Sequence, residues 1–148
     1  MTLITDNVPW GTGRRVKLDE RAQLLARLPI FAHCSKRHLR SLARLSRQVQ
    51  VEAGSALFTE QGVSTEAYVI IAGTVEVRSK GRKVATLGPG EIVGELGLLL
   101  ERPRSATVTA LTPLDTLAIT RVDLRAAVIE SPELGWAILE AVAHRLSA

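Results

Sequence analysis

From Gln48 to Ile119 short apolar or alternating segments recur between turn formers, and no other feature limits the possible folds as much. The segments are Val49–Val51, Ala56–Phe58, Tyr68–Ala72, Val75–Val77, Val84–Leu87, Thr107–Ala110 and Thr116–Ile119. Each has strand length and strand composition, and none is long enough for an ordinary helix. Glycines at 54, 62, 73, 81, 88 and 90 punctuate them, with Gly88-Pro89-Gly90 the strongest turn signal. Such a series predicts a compact antiparallel β-roll, and no internal repeat points to a solenoid or propeller.

Helical signals flank the strand region. Leu18–Leu28 and Lys36–Leu45 read as helices, the second introduced by Ser35 as N-cap. After the strands, Thr120 and Asp123 form a capping box ahead of Leu124–Ile129, and Ser131-Pro132 opens a final helix. Ile138, Leu139, Val142 and Leu146 supply that helix with an apolar stripe, and Trp136 is expected to be a core or interface anchor. The predicted class is therefore α+β, a jelly-roll-like β-roll flanked by N-terminal and C-terminal helices. Residues 1–16, with Pro9, Gly11 and Gly13 and little periodicity, are expected to form a flexible tail ahead of one domain over 17–148.

Composition narrows the function classes. A chain of 148 residues, 46% hydrophobic and 23% charged, is an ordinary globule large enough for a real core. No apolar run reaches the length of a membrane span and no signal peptide opens the chain, so a cytoplasmic protein without membrane contact is expected. The single cysteine, Cys34, excludes an internal disulfide. His33, His38 and His144 lack the spacing of a metal site, and no catalytic constellation is present, so neither a metal, a cofactor nor an enzyme activity is expected. The net charge of +4 raises a nucleic-acid alternative, yet Lys36, Arg40, Arg44 and Arg47 recur at helical spacing opposite Leu39, Leu42 and Leu45, the pattern of a solvated helix face.

One stretch carries chemistry: Gly94-Glu-Leu-Gly-Leu-Leu-Leu-Glu-Arg-Pro-Arg-Ser-Ala-Thr-Val-Thr-Ala110. Gly94 lets backbone approach a ligand closely before a helical turn opens at Glu95 and Leu96, whose free amides would face an anion. Arg104 adds a permanent cation with a planar donor fork, and Ser105 adds a hydroxyl. Glu95 would repel a phosphate unless it had another task. As an acceptor it suits a ribose 2'-OH, and its charge can pair with Arg104. A phosphate cradle beside a ribose acceptor implies a ribonucleotide.

This stretch closely resembles the phosphate-binding cassette of the cyclic nucleotide-binding domain family, whose pattern runs Gly-Glu-x-small-Leu-Leu, a variable part, then Arg-small-Ala-Thr-Val-x-Ala. The resemblance extends from about Leu28 to the end, through Glu60-Gln-Gly62, Tyr68–Val77 and Leu87-Gly-Pro-Gly-Glu-Ile-Val-Gly94. It implies that Glu95 binds the ribose 2'-OH, that Arg104 binds the cyclic phosphate and that Ser105 assists, with Gly94, Leu96, Val93 and Ala106 completing the cradle. Val77 and Val84 match apolar wall positions of the bacterial regulator branch, and Ala85 lies where the sugar or base edge passes. Arg145 and Leu146 fall where the final helix approaches the purine and stay outside this set.

The resemblance implies a regulatory receptor for a cyclic nucleotide, cAMP ahead of cGMP because Ser105 resembles the small residue of bacterial cAMP-binding members. Ligand would shift the C-terminal helices and so control a protein partner or effector domain. Family members that regulate transcription continue into a helix-turn-helix domain, for which no room follows Ala148, so direct DNA binding is not expected. The alternatives are a ligand-independent protein-interaction β-roll and a nucleic-acid-binding module built on the basic helices.

Overall fold

The computed structural model describes residues 3–4 and 15–147. The chain runs β1 (Leu3–Ile4), α1 (Leu18–Ala26), a 3-10 turn (Pro29–Phe31), α2 (Lys36–Leu45), β2 (Arg47–Val51), β3 (Ala56–Phe58), β4 (Glu66–Ala72), β5 (Val75–Ser79) and β6 (Arg82–Leu87). It continues through β7 (Ile92–Val93), α3 (Leu96–Leu99), β8 (Thr107–Ala110), β9 (Leu114–Thr120), α4 (Arg121–Glu130) and α5 (Pro132–Ser147). Among the described residues the strands form two antiparallel sheets, in the orders β1-β2-β9-β4-β7 and β3-β8-β5-β6. This is the β-roll with flanking helices that the strand series predicts.

The period-two geometry of β4 and β9 divides the core into two parts. Ala67, Val69, Leu117 and Ile119 face the helices and pack with Leu25, Phe31, Leu39, Leu42 and Leu134. Tyr68, Ile70 and Ala118 turn the other way and meet Leu57, Val75 and Val108 between the sheets. Both faces of the central strands are buried, which is why their sequence is apolar almost without interruption.

Local signals set the helix boundaries. Ser35 Oγ accepts the His38 amide at 3.2 Å, and Thr120 and Asp123 exchange both bonds of the capping box. Helix α1 stops at Ala26, two residues before its predicted end, because Leu28 precedes Pro29 and takes an extended conformation while remaining buried. Most of the stretch expected to be a tail, residues 1–2 and 5–14, lies outside the described residues. Within the rest of it, Leu3–Ile4 pair with Val51 and Gln50, and Val16 is buried with its amide bonded to Gln48 Oε1 at 2.8 Å.

Helix α5 corrects the predicted stripe. Its buried face is Leu134, Ala137, Ile138 and Ala141, so Ile138 of the predicted stripe is buried and Val142 packs against the core, whereas Leu139 and Leu146 are 60% and 83% exposed; Trp136, expected as a core or interface anchor, is 67% exposed and so lies outside the core. Two apolar ridges run along this helix at compatible spacing, and packing against α4 and the 3-10 turn turns the small-residue ridge inward. Gly135 permits that approach, since an added Cβ would lie 2.9 Å from a Val128 methyl.

Candidate ligand-binding site

The turn from β7 into α3 and the segment ahead of β8 enclose a cavity of about 280 Å³ against the β-roll. This lies near the lower limit of pockets that hold small ligands. Gly94 shapes its floor. With φ of +77° it holds a left-handed conformation, and an added Cβ would collide with Arg104 Nη1 and lie 3.1 Å from Glu66 O. Gly97 in α3 meets Ser64 in the same way, because a Cβ there would collide with Ser64 Oγ. The two glycines therefore let the cassette close onto β4 and onto the turn that precedes it.

Arg104 is the central side chain. It is 5% exposed, and its segment is pinned by Arg104 N–H to Gly62 O at 2.9 Å and Gln61 N–H to Arg104 O at 2.8 Å. Nη2 donates to Glu66 O at 2.7 Å, and Cζ lies 3.8 Å from the centre of the Phe58 ring. Nε and Nη1 are buried without a hydrogen-bond partner, and among the described residues no carboxylate lies within ion-pairing distance of the guanidinium. The Glu66 carboxylate is engaged elsewhere: Tyr68 Oη donates to it at 2.5 Å, and Arg47 Nη2 lies 3.6 Å from its second oxygen. Burial lowers the Arg104 pKa, opposed by Tyr68 and Glu66, but an arginine remains charged. Burial, and then the bond to Glu66, push the Tyr68 hydroxyl well above its ordinary range, so it stays a neutral donor. The cavity thus contains a desolvated cation that no carboxylate contacts, an arrangement that attracts an anion.

Glu95 differs from expectation. Its Oε2 is buried without a hydrogen bond, and the nearest cation is Arg145 on α5 at 3.9 Å, not Arg104. Nη2 of Arg104 is instead directed at the Glu66 carbonyl. Of the amides that open α3, those of Gly97 and Leu98 turn inward to Gly94 O and Glu95 O, both at 3.0 Å, whereas those of Glu95 and Leu96 donate to no described group. Ser105 is exposed at the rim, with its carbonyl accepting Ser79 Oγ at 2.8 Å.

Val77, Val93, Gly94, Glu95, Leu96, Arg104, Ser105 and Ala106 all line the one cavity. Val84 and Ala85 do not: Val84 is 63% exposed on β6, and Ala85 pairs with Val77 beyond the wall. Phe58, Ser64, Leu87, Ile92 and Val108 line it as well and went unmarked in the sequence, where they read only as strand or turn residues. The basic helix is largely compensated: Arg40 meets Asp19 at 2.8 Å and Arg44 meets Glu130 at 3.3 Å. Among the described residues no His, Cys, Asp or Glu cluster could hold a metal, and no helix is long and apolar enough to cross a membrane.

A β-roll whose glycine-shaped cassette encloses a buried arginine that no carboxylate contacts has the form of a ligand-binding domain. Residues 48–131 match the family described as Cyclic nucleotide-binding domain, and the chain belongs to that family of ligand-binding domains. A putative potassium channel protein of Rhodopseudomonas palustris is 32% identical over 126 residues, covering 82% of this chain and 30% of that protein. A CRP-like cAMP-activated global transcriptional regulator of Mycobacterium tuberculosis is 27% identical over 84% of this chain and 58% of its own length. Both relatives are thus matched over less than two thirds of their length. Among solved structures, the N-terminal domain of a transcriptional regulator from Streptomyces coelicolor superposes with a TM-score of 0.78 at 36% identity, covering 84% of this chain and 92% of that one.

Proposed function

We propose that this chain is a cytoplasmic receptor for a cyclic nucleotide, cAMP in preference to cGMP, and that it acts by regulation rather than catalysis. The observation that carries this reading is Arg104, a buried cation with two nitrogens that make no hydrogen bond, in a cavity it shares with a Glu95 oxygen that also makes none. A cyclic phosphate would take a free donor of the Arg104 guanidinium, with Ser105 and the Glu95 and Leu96 amides adding donors. The ribose 2'-OH would donate to Glu95 Oε2, and Val77, Val93 and Ala106 would border the sugar and base. The preference for cAMP is supported by the small Ser105 and by a relative named for activation by cAMP.

Two arginines support coupling to the C-terminal helices. Arg121, the first residue of α4, donates to Gly97 O at 3.0 Å, Leu100 O at 3.0 Å and Ser64 O at 2.7 Å, and so ties that helix to the cassette. Arg145 brings α5 to Glu95. A ligand that repositions the cassette would bias the packing of α4 and α5 through unequal affinity for two arrangements, exposing or withdrawing a surface for a protein partner or effector domain.

Calorimetric titration with cAMP, cGMP and 5'-AMP tests the reading. Saturable binding of the cyclic compounds with 5'-AMP much weaker is the expected result. Absence of binding at millimolar ligand refutes it and favours a β-roll used for protein contacts alone.

A further inference from the structure

We infer that Phe58 is a positioning residue for Arg104: its ring holds the guanidinium in place while leaving the positive charge available to an anion. The inference rests on the reading of Arg104 as the phosphate ligand. A buried arginine is normally fixed by a carboxylate, which would cancel its charge and compete with an incoming phosphate. Here both observed side-chain partners are neutral, the Glu66 carbonyl at 2.7 Å and the Phe58 ring at 3.8 Å, and each is electron-rich on the side it presents.

The surroundings reserve the ring for this task. Within β3, Leu57 is fully buried between the sheets while the neighbouring Phe58 is half-buried and lines the cavity. Its ring stacks on Tyr68 at 6.3 Å, and Tyr68 in turn occupies the Glu66 carboxylate with its hydroxyl. The Glu66 carboxylate is thereby engaged by Tyr68 and Arg47, and Gly94 leaves the space into which Nη1 projects. Aromatic ring, tyrosine hydroxyl and glycine together keep the cation ordered and out of a direct ion pair.

Affinity for cAMP should be measured for the wild type, Phe58→Leu and Phe58→Tyr, each also with Arg104→Met. Phe58→Leu keeps an apolar side chain but removes the π face, and binding should weaken about tenfold to thirtyfold, the effect of a desolvated cation–π contact. Phe58→Tyr should retain affinity within about threefold, because it keeps the ring. In the Arg104→Met background Phe58→Leu should change the residual affinity less than about twofold, since coupled residues are non-additive. Without ligand, the Arg104 guanidinium protons should resonate upfield through the ring current and return to ordinary positions in Phe58→Leu. Equal losses in both backgrounds, or unshifted wild-type resonances, overturn the inference and leave the ring as packing. If wild type binds cAMP and Phe58→Leu binds it equally well, Phe58 alone is misassigned. If wild type binds no cyclic nucleotide, the receptor reading and the purpose given to Phe58 fall together.

Discussion

Replacing Arg104 by Met separates the two roles a buried arginine can have, because the structure predicts opposite outcomes for binding and for folding. Met fills much of the same space and carries neither charge nor donors. The substitution removes two buried donors without partners, Nε and Nη1, each costing about 1–3 kcal/mol in the empty protein. It also removes the charged hydrogen bond to Glu66 O, about 1.5–3 kcal/mol, and the contact with Phe58, about 0.5–2 kcal/mol. These contributions nearly cancel, so stability should change by less than about 2 kcal/mol and Tm by less than about 8 °C. Binding has no such compensation. A phosphate brought into the cavity without its cation should lose about 3–5 kcal/mol, a hundredfold or more in Kd. Differential scanning calorimetry with and without cAMP reads both effects. At about one hundred times the wild-type Kd the wild type should gain about 2.7 kcal/mol, or roughly 5–10 °C, and the variant no more than about 0.4 kcal/mol. A loss of more than about 4 kcal/mol in the empty variant would make Arg104 a structural clamp, and a retained cAMP shift would end the phosphate assignment.

Three further outcomes are expected. Glu95→Gln should shrink the preference for cAMP over its 2'-deoxy analogue, which in the wild type should be about tenfold to a hundredfold; an unchanged ratio by competition titration removes Glu95 from the ribose. Gly94→Ala should weaken cAMP at least about tenfold and lower Tm, because a Cβ at φ +77° would displace Arg104; calorimetry showing wild-type affinity contradicts the close approach. Burial pushes the Cys34 thiol from 9.0 to about 11, so the thiol form is favoured by folding. Its contribution is present in full below 9.0 and is lost as pH rises through about 11, so urea-denaturation curves for wild type should weaken more steeply across that window than those for Cys34→Ser. Equal slopes would place the thiol in water.

Much of the fold was legible because its punctuation is local. Ser35, Thr120 and Asp123 act on amides three residues away, so a linear sequence contains the whole interaction. Strands β4 and β5 could be recognised from runs bounded by glycine, β2 from its alternation ahead of Gly54 and β9 from its apolar run ahead of the Thr120 cap, whereas β7 has only two residues and is a strand solely through its pairing with Tyr68 and Val69. The faces of α5 were illegible for a different reason. Leu139 and Leu146 are stronger hydrophobes than Ala137 and Ala141, yet close packing against the 3-10 turn and α4 favours the smaller side chains.

The site divides along the same line. Gly94, Glu95, Arg104 and Ser105 could be marked from residue type and spacing, because a phosphate needs donors and close backbone wherever it binds. Nothing in that pattern distinguishes an arginine that is already neutralised from one that is not. Arg40, Arg44 and Arg47, which the sequence already reads as a solvated face, have side chains that are 51%, 57% and 58% exposed, and each lies within 3.6 Å of a carboxylate. Solvent and a counter-ion leave little energy for an anion to recover there. Arg104 has neither, because residues distant in the chain, Phe58 and Glu66, enclose it with a ring and a carbonyl. Burial without a contacting carboxylate is a property of the assembled sheets, and it is what separates Arg104, the proposed phosphate ligand, from arginines already paired at the surface.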